Sequence, residues 1–320
     1  MDAIRDWLRT QFGSSYNACS APYSKRNSRI ITAGQNVYLL KLYESCNDLK
    51  RSIEGSAFAN SQAGIRTPKF FAVDKKLNAA IFEFLPGTPL AKLLNDRIPH
   101  NRLCNILREL AVVTRRLHGA TLTAHVQSLP RIKLQYELIA EINILKSFSA
   151  KLLKGESRLS SLLFLVSNRL TSFLKGISNS DDMPSVIHGD LWSGNIIVLD
   201  SSMIEIALVD FDLSAIGDPV LDLAKLYCRG MVRLDHRATY TITPPRKLWL
   251  EFKTHYGNNC AADEKIPRFH LAILYNLTRT INFYGYIAES NKNSQEYARS
   301  KRSMARISTA MLDFIENLAR

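Results

Sequence analysis

One short segment constrains this chain more than any other, because it places three oxygen-bearing side chains around a pair of apolar strands. Asp190 and Asn195 lie five positions apart, and Asp210 follows fifteen residues after Asn195. Between them, residues 196–199 and 204–209 are apolar runs separated by the polar turn 200–202, a pattern that predicts a β-hairpin. The side chains on the tight loop and at the end of the hairpin can therefore point at a common centre.

Those residue types suit phosphoryl transfer. The reaction needs a carboxylate to orient and deprotonate the acceptor hydroxyl, and oxygen ligands to hold magnesium against the nucleotide phosphates. Hard oxygen ligands favour magnesium over zinc or copper. The alternative, three polar residues that only support the strands, requires a coincidence of type and position, so we favour a catalytic centre.

The remaining pattern divides the chain at the segment Leu85-Pro86-Gly87. Before it, apolar runs predict strands at 29–31, 37–42, 70–73 and 80–84, with helices at 1–16 and 49–63. After it, apolar residues recur at helical spacing over 103–117, 134–148 and 162–174, and residues 245–320 also have helical character. The sequence thus predicts an α+β protein with lobes at 1–85 and 86–320.

Composition narrows the classes of protein to which this chain can belong. With 320 residues, 46% of them hydrophobic, the chain can bury a sizeable core. No run approaches the roughly 18 apolar residues that cross a bilayer, and the N-terminus lacks a signal peptide's apolar block, so we expect no membrane partner and a cytoplasmic location. The five cysteines are scattered without zinc-ligand spacing, which indicates reduced thiols.

A net charge of +13 raises the alternative of a basic nucleic-acid-binding protein. The charge is spread along the chain, however. Its densest run, 292–306, is typical of a solvated helix face, and no nucleic-acid module accompanies it. A nucleic-acid partner is therefore not favoured.

The motifs resemble those of the aminoglycoside phosphotransferase and choline kinase family, whose fold is shared with protein kinases. The resemblance rests on His188-Gly189-Asp190 through Asn195, on Asp210-Phe211-Asp212, and on Gly217-Asp218-Pro219 followed by Asp222-Leu223-Ala224. It implies an ATP-dependent kinase, with GTP as the alternative nucleotide, in which Asp190 is the base. It also implies Mg²⁺ held by Asn195 and Asp210, and a buried Asp222 that braces the catalytic loop.

The same resemblance extends upstream in the expected order. Lys41, at the end of an apolar strand, resembles the lysine that binds nucleotide phosphates, and Glu54 on the next helix resembles its ion-pair partner. Glu83 and Leu85 match the interlobe hinge, whose backbone groups would bind adenine. Ser28 closes a nucleotide loop, 23–28, that contains no glycine, so it is only a candidate phosphate contact.

Two questions stay open at this level. Asp212 is either a second magnesium ligand or a cap of the following turn. The acceptor is a small hydroxyl compound such as a sugar, an amino alcohol, a sugar phosphate or an aminoglycoside. Residues 216–320 carry sixteen Lys and Arg against ten Asp and Glu, which does not encourage a polycationic acceptor. A catalytically silent nucleotide-binding regulator is the further alternative.

Overall fold

The computed structural model describes residues 2–20, 28–96, 98–122, 126, 128–152, 157–175, 184–199, 203–230, 245–257, 263, 266–291 and 295–318. Three features named above lie outside these residues: most of the nucleotide loop, at 23–27, the turn at 200–202, and Cys260. The described cysteines are all free thiols.

The N-terminal part forms one antiparallel sheet. Its strands are β1 Tyr16–Ser20, β2 Ser28–Ala33, β3 Asn36–Leu42, β4 Phe70–Asp74 and β5 Ala79–Glu83, arranged in the order β1-β2-β3-β5-β4. The predicted strand pairs at 29–31 with 37–42 and at 70–73 with 80–84 are therefore confirmed, with ends shifted by one or two residues. Helix α1, Asp2–Phe12, packs Leu8 onto this sheet.

Helix α2, Cys46–Ala63, connects the sheet to the centre of the molecule. Ser45 caps its first turn by accepting from the Asp48 amide at 3.1 Å, and Gly64 ends it with a φ of +60°, a conformation that glycine adopts readily. Gly55 faces Ser214 and Phe211 so closely that a β-carbon would overlap the Ser214 side chain. The helix therefore lies directly against the turn that follows Asp210.

The hairpin predicted from the central motif is confirmed. Strands β8, Ile196–Leu199, and β9, Ile206–Leu208, pair antiparallel, and β6, Gly87–Pro89, adds to β8 as a third strand. A second small sheet joins β7, Ser185–Ile187, to β10, Ala215–Gly217. Hydrogen-bonding partners thus change between β5, which belongs to the first sheet, and β6, which belongs to the hairpin sheet.

Helices make up most of the chain after β6. They are α3 Leu90–Asn95, α4 His100–Gly119, α5 Leu134–Leu152, α6 Ser157–Lys175, α7 Val220–Lys225, α8 Arg246–Tyr256, α9 Pro267–Ser290 and α10 Gln295–Leu318. A π-helical turn, Leu226–Gly230, continues α7. The apolar face predicted for α4 is buried, as Ile106, Leu110 and Leu117 show. The fold is α+β, with a smaller sheet lobe and a larger, mainly helical lobe.

One backbone contact joins the loop after α2 to the hairpin. Arg66 forms a parallel bridge with Ala207, and its carbonyl accepts from the Leu208 amide at 3.0 Å. This contact lies two residues before Asp210. In the described ranges, no helix is both long enough and apolar enough to cross a bilayer.

Candidate active site

The loop between β7 and β8 is held in place by one buried carboxylate. Asp222 on α7 accepts from the backbone amides of His188, at 2.6 Å, and Gly189, at 2.8 Å, and His118 Nε2 donates to it at 3.1 Å. Gly189 has a φ of +77°, and a β-carbon there would overlap the Leu213 carbonyl. Asp222 thus braces the loop in the manner that the resemblance implied.

His188 has a structural position. Its Nε2 donates to the Val209 carbonyl at 3.0 Å, and its Nδ1 accepts from the Asp190 amide at 3.3 Å. Its ring also packs on Phe211, with centroids 4.5 Å apart. Both ring nitrogens are engaged by the backbone, so the imidazole fixes the loop and is not directed at a reactant.

Asp190 follows Gly189 in the loop that Asp222 holds, and its carboxylate has two side-chain partners. Lys225 Nζ lies 2.9 Å from Oδ1, and Asn195 Nδ2 donates to Oδ2 at 3.0 Å and to the Asp190 carbonyl at 2.9 Å. Burial raises the pKa of the Asp190 carboxyl, but the charge and hydrogen bond of Lys225, together with His188, hold that pKa below its ordinary value. The side chain remains 21% exposed, so an ionised carboxylate is still open to a reactant.

Lys225 is a site residue that the sequence analysis did not identify. It lies three positions after Asp222, within a helix whose other residues are apolar and buried. A lone lysine at helical spacing from the bracing aspartate was the available signal. Without the fold, nothing distinguished it from a lysine at a helix end.

The turn at 210–212 brings two carboxylates to Lys41. The Lys41 ammonium pairs with Asp210 and lies 2.5 Å from Asp212 Oδ2. Burial lowers the pKa of Lys41, but the two aspartates raise it above its ordinary value. Asp210 itself adopts a φ of +69°, unusual for a residue with a β-carbon. Lys41, Asp210 and Asp212 therefore form one charged cluster.

The expected pair between Lys41 and Glu54 is not formed. Glu54 accepts from the Ser128 hydroxyl and lies 3.7 Å from Lys50. Its helix instead turns the buried small residues Ser52 and Gly55 toward the 210–214 segment. Glu54 lies on a neighbouring face because successive residues are rotated by about 100° around a helix axis. The ammonium consequently pairs with the two aspartates.

The donor set Asn195, Asp210 and Asp212 fits a magnesium ion bound partly by nucleotide phosphates. Magnesium typically takes one or two protein carboxylates and completes its shell with water and phosphate oxygens. Oδ1 of Asp212 is buried without a hydrogen-bond partner in the described residues, and a cation would satisfy that oxygen. Among all the described residues, no group of three or more His, Cys, Asp or Glu side chains is arranged to hold a metal ion.

The remaining predicted residues lie around Lys41 and along β5. Ser28 is buried and pairs with Lys41 across β2 and β3. Glu83 ends β5, where its carboxylate pairs with Arg66 and accepts from the Lys69 amide at 3.2 Å. Leu85 follows Glu83 by two residues and is buried. Glu83 and Leu85 thus lie at the connection between the two lobes, and Ser28 lies beside Lys41.

An antiparallel sheet lobe, a helical lobe and a carboxylate centre beside a buried lysine define a protein-kinase-like phosphotransferase fold. The family model described as "Phosphotransferase enzyme family" matches residues 15–257, and the chain belongs to that family. A search of the curated proteins found no match.

Solved structures share the fold at low sequence identity. ADP-bound aminoglycoside phosphotransferase APH(2'')-Ib matches with a TM-score of 0.65 and 14% identity over 97% of this chain and 98% of that one. The GDP complex of aminoglycoside 2'-phosphotransferase-IIIa matches with a TM-score of 0.66 and 14% identity over 98% of both chains. Choline kinase LicA from Streptococcus pneumoniae matches with a TM-score of 0.62 and 11% identity over 97% of this chain and 99% of that one.

Proposed function

We propose that this protein transfers the γ-phosphoryl group of ATP to a hydroxyl of a small molecule. The observation that carries the proposal is the environment of Asp190. Its carboxylate is braced through the loop by Asp222, held ionised by Lys225 and still partly exposed. A catalytic base needs this combination of fixed orientation, charge and access.

In the proposed reaction, Asp190 orients the acceptor hydroxyl and takes its proton. The acceptor oxygen then forms a bond to the γ-phosphorus, while the bond from that phosphorus to the oxygen of the leaving ADP breaks. Because the transition state of phosphoryl transfer is loose, we expect Asp190 to act more by positioning than by basic strength.

Magnesium would be held by Asn195 and Asp210, with Asp212 as a further ligand, and when bound it would neutralise charge on the phosphates. The orphaned Asp212 oxygen supports this assignment over a cap of the following turn. Lys41 would contact the nucleotide phosphates, and Ser28, its cross-strand neighbour, is the adjacent candidate.

We further propose that the backbone at Glu83 and Leu85 binds the base, with ATP as the donor and GTP as the alternative. ADP and GDP in the two solved relatives support a purine nucleotide. The nucleotide lobe would span residues 1–85 and the catalytic lobe 86–320, since strand partners change between β5 and β6. Free thiols and a need for Mg-ATP fit the cytoplasm.

The acceptor is proposed to be a sugar, an amino alcohol, an aminoglycoside-like molecule or a related compound. The test is ADP or GDP release by the purified protein with magnesium across a panel of these acceptors, with Asp190→Asn as the isosteric control. We expect acceptor-dependent turnover that the variant loses.

Other results would redirect the assignment. Wild-type turnover in Asp190→Asn would remove the base role. Tight magnesium-dependent nucleotide binding without turnover would favour the silent regulator. Binding to nucleic acid that falls steeply with salt and ignores ATP would favour the third alternative.

A further inference from the structure

Two arginines flank the proposed base from the helical lobe. Arg229, in the π-helical turn, places its guanidinium over the Trp192 ring at 5.2 Å from the ring centre. Arg279, on α9, donates through Nη1 to the Tyr275 hydroxyl at 3.3 Å. Burial lowers the pKa of the Lys225 ammonium, Asp190 opposes this, and the charges of both arginines lower it further. Arg229 follows Lys225 by four residues, and the ring on which it packs, Trp192, follows Asp190 by two. Three residues before Arg279, Asn276 Nδ2 donates to the Leu221 carbonyl of α7 at 3.3 Å. Both arginines therefore lie on segments that pack around the Asp190–Lys225 pair.

In the part of the chain that the structure describes, neither arginine forms a salt bridge with a carboxylate. Both side chains are half-buried, and no salt bridge joins either one to an acidic residue in the ranges that the structure describes. Nε of Arg229 is also buried without a hydrogen-bond partner there. Buried or half-buried charges are normally paired, because leaving water costs free energy that a partner offsets.

The two described acidic side chains that act electrostatically on Arg279, Asp190 and Glu141, have other hydrogen-bond partners. Asp190 pairs with Lys225. Glu141, on α5, interacts electrostatically with Arg279, but its carboxylate accepts from Asn282 Nδ2 at 2.6 Å. Among the described residues, the wall beside the base therefore has two guanidinium groups that form no salt bridge with a carboxylate.

We propose that Arg229 and Arg279 form an anion subsite that holds a carboxylate or phosphate group of the acceptor while the acceptor hydroxyl lies against Asp190. The inference rests on the proposed phosphotransferase function. Planar guanidinium groups bind such anions through paired hydrogen bonds, which fixes orientation as well as charge. A sugar phosphate or a hydroxy acid fits this wall, and a polycation would be repelled.

The same chemistry could serve the γ-phosphate of ATP, and a binding experiment separates the two sources. Inorganic phosphate is titrated calorimetrically into the full-length protein, with and without saturating magnesium and a non-hydrolysable ATP analogue. The variants are Arg229→Met and Arg279→Met, with Arg302→Met, an exposed arginine on α10, as the matched control.

We expect phosphate to bind even when the analogue is present. Each subsite variant should weaken that binding by about tenfold to a hundredfold, the usual effect of losing a charged hydrogen bond, and Arg302→Met should not change it. Phosphate binding that the analogue abolishes would assign the arginines to the nucleotide and overturn the proposal. Absence of phosphate binding in the wild type would overturn it as well.

Kinetics separates this inference from the function on which it rests. Matched acceptors, glycerol with glycerol 3-phosphate and serinol with serine, are compared by ADP release in the wild type and in Arg279→Met. We expect turnover of the anionic members, with the variant raising KM for the acceptor and leaving KM for ATP unchanged. Turnover of neutral or cationic acceptors alone would overturn the anion subsite and retain the kinase. Failure to bind the ATP analogue would instead contradict the kinase itself.

Discussion

The ammonium of Lys225 lies 2.9 Å from Oδ1 of Asp190, although only 6% of the lysine side chain is exposed. Taking two charges out of water is costly, and the interior repays that cost only when the pair is well formed. Removing one partner leaves the other charge without compensation. The pair is therefore expected to be linked both to turnover and to stability.

Replacing Lys225 by methionine should lower kcat by about 10²-fold or more, because Asp190 loses the group that orients it. The variant should also unfold at a lower denaturant concentration. Adding Asp190→Asn should recover much of that stability without restoring activity, and Lys225→Arg should restore part of the turnover. Steady-state ADP release and denaturant unfolding measure these effects. Unchanged kcat in Lys225→Met would contradict the positioning role.

Lys41 and Glu54 should differ sharply in their effects on nucleotide binding. Lys41→Met removes the cation of the Asp210 and Asp212 cluster, so Kd for Mg-ATP should rise by about tenfold or more. Glu54→Gln removes no partner of Lys41, so that Kd should change by less than about twofold. Calorimetric titration of both variants tests this. An equal loss in both would show that Glu54 pairs with Lys41 when the nucleotide is bound.

Asp210→Asn should weaken the binding of magnesium. The substitution preserves shape but removes one of the two carboxylates proposed as ligands, so higher magnesium should be needed for half-maximal nucleotide binding, by about tenfold. Asp74→Asn is the control, because the Asp74 carboxylate accepts from the Lys76 and Leu77 amides in the turn after β4 and is not a proposed metal ligand. Identical magnesium curves for Asp210→Asn and the wild type would remove Asp210 from the metal site.

Glu83 should make stability depend on acid pH. Burial raises the pKa of its carboxyl, but the hydrogen bond from Arg66 and that from the Lys69 amide lower it below the ordinary value of 4.5. Because the folded-state pKa is lowered, the stabilisation is fully present above the ordinary value and is lost as pH falls through the folded value. Unfolding of the wild type and Glu83→Gln at several pH values measures it. We expect a difference at pH 7 that shrinks as the pH falls below 4.5, and a constant difference would contradict the assignment.

The sequence predicted those elements whose signal lies in residues close together along the chain. The hairpin around residues 196–208 was predicted from two apolar runs separated by a polar turn. The buried face of α4 was predicted from the helical spacing of apolar residues such as Ile106 and Leu110. The loop from His188 to Asn195 followed from the residue types that the chemistry requires. Strands β6, β7 and β10 have three residues each and pair with distant segments, so local periodicity gave little sign of them. Strand β1, Tyr16–Ser20, lacks an apolar alternation and was not predicted either.

One predicted ion pair, Lys41 with Glu54, is not formed, and one ion pair, Lys225 with Asp190, was not predicted. Both outcomes have the same cause. The position of Glu54 depends on how α2 is rotated against the 210–214 segment, and close packing at Gly55 sets that rotation. The contact between Lys225 and Asp190 joins residues that are 35 positions apart. Both depend on tertiary packing, which no local spacing records. Asp222 was identified only because it lies in a recognisable motif.

The backbone contact of Arg66 with Ala207 and Leu208 has a mechanical consequence. It joins the loop after α2, in the sheet lobe, to the strand that ends two residues before Asp210, so it acts as a fulcrum close to the proposed metal ligands. We expect rotation of the sheet lobe about this fulcrum to separate the outer rim of the cleft between the two lobes most and the 210–212 turn least. The cleft could then admit a nucleotide while Lys41 keeps its distance from the two aspartates.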